Sequence, residues 1–305
     1  MFDILAVGDA IVDKIIAFDE QDEMMQHILP VKGLFFIATP QQHTYLRNKS
    51  ALSYYAGGSV ANTVRNMSLL GLKTAFIGKA GTDSDGDFFE KSLKDYAVQS
   101  YLIQTDADKT GCSVVIVHAD KDRTQCAKSC ASDLLTIQDV KDDYLNHTKS
   151  VMVEGYMLHR LPELVENVVN RTANLNKQCY LTLSDVHCVA DKRDLILKLL
   201  PKIDVLFGNE YEFDALHLDT NRLTKTICVK TCGKQGVELY MSDNQYHFDV
   251  TPVSDIVNTN GAGDAFASGF LTGYLSGKAF DECVKIGHQI AQNVLQTELS
   301  YLPKK

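Results

Sequence analysis

The apolar run 2–7 ends at Gly8 and reads as a buried first strand. Residues 14–56 break into short alternating pieces interrupted by Pro30 and Pro40, which predicts short strands and loops of an accessory sheet. Gly57-Gly58 leads into 59–70, where apolar residues at 60, 61, 64, 67 and 70 keep a helical period and Gly71 marks the stop. The pattern then alternates. Strand 74–77 and helix 85–95 are followed by a β-rich run over 112–118, with 123–127 as its pairing partner. Strands at 151–153, 180–183 and 204–207 alternate with helices at 163–175 and 192–200. Further strands at 226–230 and 237–240 precede two closing helices, 262–275 and 280–297. Such alternation predicts an α/β protein with a mostly parallel sheet covered on both faces. Ligands of such sheets gather at the carboxyl ends of the strands.

Composition narrows the partners. The 305 residues carry 30 Lys+Arg against 39 Asp+Glu, a net charge of −9, which argues against a duplex nucleic-acid partner. A small phosphate ligand stays open, because backbone amides hold phosphate without net positive charge. Hydrophobic residues at 45% and charged residues at 23% make an ordinary globular mix, so a sizeable core is expected. The eight cysteines are scattered and form no C-x-x-C, which reads as reduced thiols in a cytoplasmic setting. No stretch approaches the ~20 apolar residues of a membrane span. Asp9 and Asp13 interrupt the first apolar run too early for a signal-peptide core. The expectation is a monomer or homodimer with a small-molecule substrate.

The most informative stretch is Asn258-Thr259-Asn260-Gly261-Ala262-Gly263-Asp264. Small residues meet a turn just before a helix. Glycines let amides approach a ligand, and the helix N-terminus carries partial positive charge. Together they suit a phosphate, or the charge that develops on a transferring phosphoryl group. Asp264 in the first turn is a candidate proton acceptor for an attacking hydroxyl. Spacing alone also fits an ordinary helix start, where an acid only complements the dipole. The stretch is not a Walker loop, since no Gly-Lys-Ser/Thr follows. Nor is it a dinucleotide fingerprint, because Phe266 occupies the third glycine position.

This stretch resembles the C-terminal signature D-T-x-G-A-G-D of the ribokinase-like (phosphofructokinase-B, PfkB) carbohydrate kinases, and the N-terminal elements match as well. The resemblance implies a ribokinase-like three-layer α/β/α fold over 1–305, with a small β-sheet lid from about 14–55 and 105–130. It implies Asp264 as catalytic base and the amides of Gly261, Ala262 and Gly263 as the anion hole. Asn258 stands where the signature has an Asp that helps bind potassium in members needing it, so a monovalent cation is not carried over.

On the sugar side the resemblance places the substrate-binding acid at Asp13, with Gly57, Gly58 and Asn62 beside it. An acid past a strand end can take two hydrogen bonds from neighbouring sugar hydroxyls, and it is also an ordinary turn residue. Ribokinases resemble one another in having Asn where Ile11 stands, whereas adenosine kinases have an apolar residue. Phe35, Phe36, Tyr54 and Tyr55 are candidates to stack on a base, or simply to pack. Arg123 is a candidate to face the substrate from the lid. On the nucleotide side the family's Asn-x-x-Glu falls on Asn209 and Glu212, with Glu212 reaching Mg²⁺ through water. The loop around Thr231, Gly233 and Gly236 resembles the one that holds ATP phosphate and ribose. His288 resembles a histidine near the ATP adenine. The expected reaction is ATP-dependent phosphorylation of the 5′-OH of adenosine or a related nucleoside. Rivals are a kinase for a free sugar (ribose, fructose or a keto-sugar acid) and a catalytically silent nucleoside-binding protein.

Overall fold

The computed structural model describes residues 1–28, 38–120, 123–219, 223–242 and 244–304. Its strands are β1 (Phe2–Val7), β2 (Ile11–Ala17), β3 (Ser53–Ala56), β4 (Thr74–Gly81), β5 (Gln99–Thr105), β6 (Gly111–Val117), β7 (Arg123–Lys128), β8 (Thr148–Val153), β9 (Gln178–Thr182), β10 (Val205–Asn209), β11 (Ile227–Thr231), β12 (Val237–Met241) and β13 (Asn244–Phe248). The helices are α1 (Glu23–Ile28), α2 (Pro40–Arg47), α3 (Ser59–Leu69), α4 (Ser84–Asp95), α5 (Asp142–Asn146), α6 (Tyr156–Arg160), α7 (Pro162–Asn174), α8 (Val186–Leu199), α9 (Glu210–Leu216), α10 (Ala262–Leu275) and α11 (Phe280–Leu295).

The large sheet runs β13-β12-β11-β10-β9-β8-β1-β4-β5. From β5 to β11 every pairing is parallel, and β12 and β13 add an antiparallel edge. Alternation along each strand splits the core into two halves. Ile4, Ala6 and Phe76 pack with Val64 of α3, Phe270 of α10 and Val284 of α11. Leu5, Val7 and Ile77 pack on the other face with Val165 of α7, Ile196 of α8 and Phe213 of α9. This is the expected three-layer α/β/α architecture with a mostly parallel central sheet.

A second sheet, β3-β2-β6-β7, stands apart from the first. Val12, Ile16, Val114, Ile116 and Cys126 turn one of its faces toward Met25 of α1 and Leu46 of α2. Register pairs Asp13 with Tyr55 and with Ser113, so these three share the opposite face, as does Ile11 two residues earlier on β2.

Three differences from the sequence expectation have physical reasons. Two helices, α1 and α2, lie inside the segment read as strands and loops. At α2, Thr39 and Gln42 form a reciprocal capping box and Pro40 opens the helix, local signals that outweigh a broken apolar pattern. Strands β5 and β13 were not anticipated. Both lie at sheet edges, where one side faces water and the apolar signature thins. Helix α8 starts at Val186 because Asp185 caps it through His187 and Cys188, and the backbone leaves helical angles at Lys192. No helix among the described residues is long and apolar enough to cross a membrane.

Candidate active site

Helix α10 begins where the chain must make a left-handed turn. Gly261 caps it at φ +77, and a Cβ there would lie 2.1 Å from the carbonyl of Ser300, so only glycine fits. Asp264 in the first turn is held from two sides. The Ser59 hydroxyl donates to its Oδ1 at 2.6 Å, and the Asn62 Nδ2 donates to its Oδ2 at 3.1 Å. Burial pushes the Asp264 carboxyl up to about 6, opposed by these two hydrogen bonds. The Ala262 amide leans on the Thr259 carbonyl at 3.4 Å, while a Cβ at Gly263 would meet nothing within 4 Å. Protein packing therefore does not demand glycine at 263, which faces open space at a helix N-terminus.

Asp13 enters from β2. Its carboxylate lies so close to Gly57 that a Cβ there would sit 2.4 Å from Oδ2. Gly58 has φ +86, and its Cβ would be 2.6 Å from the Asp9 carbonyl. The Gly-Gly pair therefore brings the start of α3 against Asp13 and the Asp9 turn. Burial first, and then the Asp264 charge, push Asp13 up to about 7 against the pull of Arg65 and Ser113. Asp13 thus feels the Asp264 charge, and both acids lie against the start of α3. Ile11 and Tyr55 flank Asp13 on the same sheet face. Tyr54 lies on the opposite face. Its ring packs on Phe88 at 4.8 Å and its hydroxyl donates to Asp85, so it does not reach the cleft. Phe35 and Phe36 lie outside the described residues. Arg123 spends its guanidinium on the large-sheet side, donating to Asn258 Oδ1 at 2.6 Å and to the Val257 carbonyl at 3.1 Å.

The nucleotide-side residues lie at the ends of β10 and β11. Asn209 caps α9 in a reciprocal box with Glu212. Its Oδ1 accepts from the Glu212 amide at 3.0 Å, and its own amide and Nδ2 donate to the Glu212 carboxylate at 2.9 and 2.8 Å. Burial raises Glu212 to about 7, with Asp185 and Asp264 adding to the rise. Thr231 ends β11 and donates to the Gly208 carbonyl at 3.3 Å. Gly233 and Gly236 both have positive φ, and a Cβ at Gly236 would lie 2.3 Å from the Phe248 carbonyl. His288 sits on α11 with a buried Nε2 that has no partner.

The model of the pfkB family of carbohydrate kinases matches residues 22–305. The chain belongs to the pfkB carbohydrate kinase family. Adenosine kinase 1 of Arabidopsis thaliana is 26% identical over 290 residues, 85% of this chain and 84% of that protein. The 5-dehydro-2-deoxygluconokinase of Listeria monocytogenes is 27% identical over 276 residues, 81% and 83% of the two chains. Among solved structures, a probable sugar kinase from Rhizobium etli superposes with TM-score 0.87 at 29% identity, covering 99% and 96%. The adenosine kinase from Sinorhizobium meliloti gives 0.86 at 26%, covering 98% and 95%. The fold is thus ribokinase-like, and the protein is an ATP-dependent phosphotransferase acting on an alcohol.

Three groups around the site of this pfkB kinase have no role assigned from sequence: Ser59, the pair Glu154 and Tyr156, and Arg65. Ser59 follows Gly-Gly and starts α3, so its place at a helix N-terminus was visible but its hold on Asp264 was not. Glu154, after β8, accepts from the amides of Asp9 and Val60 at 3.3 and 3.4 Å. Burial and then the Asp9 charge hold its carboxyl well above the usual range. Tyr156 keeps 40% of its surface exposed, while burial of its hydroxyl end and then the charges of Asp185, Asp264, Glu154 and Glu212 hold that hydroxyl above the usual phenol range. The third group is Arg65. A lone arginine on α3 between Val64 and Met67 was the available signal, since it interrupts a buried stripe.

Proposed function

We propose that this kinase phosphorylates the 5′-hydroxyl of adenosine or a related nucleoside, with Asp264 as general base. The observation that carries it is the convergence of Asp264, held by Ser59 and Asn62 at the open N-terminus of α10, with Asp13 in the same cleft. Asp13 accepts hydrogen bonds from the sugar hydroxyls, and Gly57, Gly58 and Asn62 shape the wall beside it. Ile11 and Tyr55 present an apolar and aromatic flank on the same face, which suits a base.

In the reaction Asp264 takes the hydroxyl proton. The substrate oxygen bonds to the γ-phosphorus, the bond to the β-phosphate bridging oxygen breaks, and ADP leaves. The first-turn amides at 261–263 face the charge on the transferring group. Asn209, Glu212 and the 231–236 loop hold the nucleotide phosphates and ribose, and His288 lies toward the base. The residues fit magnesium carried by the nucleotide. Among the described residues no cluster of three or more metal-ligating side chains exists, as suits an ion held mainly by phosphates and water. Glu212 is a buried acid whose charge a nearby cation would compensate. Bound Mg²⁺ neutralises phosphate charge. The second sheet, within about 14–55 and 105–130, acts as a lid over a single catalytic domain and excludes water on closure.

A second reading is a kinase for a free sugar. Ser113 lies on the Asp13 face and receives a hydrogen bond from Gln125 at 2.8 Å, a polar pair that could serve further sugar hydroxyls. The test is ADP release with ATP-Mg and a panel of adenosine, inosine, ribose, fructose and a keto-sugar acid. Turnover with nucleosides alone is expected. Turnover only with free sugars selects the second reading, and no ADP with any acceptor overturns both.

A further inference from the structure

Arg65 is fully buried in α3, and among the described residues no carboxylate hydrogen-bonds to it. It lies between two aromatic faces, with its guanidinium carbon 5.1 Å from the Phe89 ring and 4.9 Å from the Tyr301 ring. One nitrogen, Nη1, donates to the Gly57 carbonyl at 3.1 Å and to Asn62 Oδ1 at 3.1 Å. Nε and Nη2 are buried without a hydrogen-bond partner among the described residues. A buried cation with two idle donors is a costly way to hold a helix, and an apolar side chain would pack there with less penalty. Its two acceptors are both parts of the candidate site.

The geometry points to Arg65 as a positioning residue that fixes the orientation of the Asn62 amide and, through it, presents a donor to Asp264. The inference rests on the reading of Asp264 as base. The argument is one of donors and acceptors. A guanidinium only donates, so Asn62 must turn Oδ1 toward Arg65. That leaves Nδ2, itself only a donor, facing Asp264 Oδ2 at 3.1 Å. Without Arg65 the amide is free to turn over and set oxygen against oxygen. The same guanidinium holds the Gly57 carbonyl, and so the backbone against which Asp13 rests. Tyr301 closes the stack from the C-terminal segment. Its neighbour Leu302 donates its amide to Asn66 Oδ1 of α3 at 2.8 Å.

Two measurements test this. The first is a cycle of Arg65→Met and Asn62→Ala on turnover. A misplacement near the chemistry can cost ~10²-fold, so Arg65→Met alone is expected to lower kcat about tenfold or more. In the Asn62→Ala background the added loss should shrink to under about twofold, the scatter of independent sites. Equal losses in both backgrounds, or a lowered Tm with wild-type kcat, overturn the inference. The second is the titration of the Asp264 side-chain carboxyl carbon by NMR, which needs no turnover. The titratable groups that share its field are Asp13 from β2, Glu154 and Tyr156 after β8, and Glu212 from α9. All of them persist in the variant, and because it also removes the Arg65 charge, the move is read against Arg65→Met in the Asn62→Ala background, where the same charge is lost and no Asn62 donor remains. Loss of the Asn62 donor should move the Asp264 titration to higher pH, and an unmoved titration overturns the inference. Should Arg65→Met not fold, Arg65→Gln, whose amide offers Asn62 an acceptor as well as donors and so no longer fixes its orientation, carries both measurements with the same outcomes. A wild-type chain inactive toward every acceptor counts against the proposed reaction alone, because the titration still decides the role of Arg65.

Discussion

At the scale of single residues, the roles proposed for Asp264 and Asp13 both require the charged carboxylate. Asp264 must be unprotonated to accept a proton, and burial raises it to about 6. Asp13 must be charged to accept strong hydrogen bonds from hydroxyls, and it is raised to about 7. Both are acids with elevated values, so each loses its active form as pH falls. Acceptor kcat/KM is therefore expected to decline as pH drops from about 7 through about 6, measured with ATP-Mg saturating. A flat profile across that window would show that neither carboxylate is needed in its charged form. Asp264→Asn keeps the shape and removes the basicity. It should lower kcat by ~10²–10⁴-fold with acceptor binding largely retained, as read by calorimetry beside steady-state rates. Near-normal turnover in that variant would sink the mechanism.

At the scale of elements, the site is assembled from helix starts and strand ends. Helices α3 and α10 bring their N-termini together at Asp264, α9 opens at the end of β10, and their opening residues (Ser59, Asn209, Gly261) are the ones a helix start selects. That is why Gly57-Gly58, Asn209-Glu212 and 258–264 were legible as motifs. The reason for each glycine was not legible. Gly57 is required by the Asp13 carboxylate and Gly261 by the Ser300 carbonyl, contacts made across 44 and 39 positions of sequence, respectively, that no local pattern encodes. Gly57→Ala should push the Asp13 carboxylate aside by its Cβ and raise the acceptor KM by about tenfold or more, leaving the ATP KM within about twofold. An unchanged acceptor KM in a folded variant would place the acceptor elsewhere. Edge strands β5 and β13 and helices α1 and α2 escaped the pattern for the opposite reason. Their signals are caps and pairings, and their apolar periodicity is weak.

At the scale of the whole molecule, Arg123 of β7 ties the second sheet to the segment before α10 through Asn258 and Val257. The sequence reading took Arg123 as a residue facing the substrate and Asn258 as a departure at a cation position. The structure joins them as partners, and Asn258 also donates to the Glu298 carbonyl at 3.0 Å. A guanidinium hydrogen bond is worth roughly 1.5–3 kcal/mol, enough to bias the second sheet if it closes as proposed. Arg123→Ala should speed hydrogen exchange in β6 and β7 and raise the acceptor KM about fivefold, a change of roughly 1 kcal/mol at about 1.4 kcal/mol per tenfold. Unchanged exchange would show that this contact does not hold the second sheet. The sequence by itself determined the layered α/β class, the helix starts and the kinase motif, because these rest on period, turn chemistry and spacing within a few residues. Tertiary structure alone decided which acids share one field, why Tyr54 faces away while Tyr55 faces in, and that Arg65 lies behind Asn62. Those depend on strand register and on contacts between residues tens to hundreds of positions apart, where desolvation and hydrogen-bond direction act and sequence pattern carries no signal.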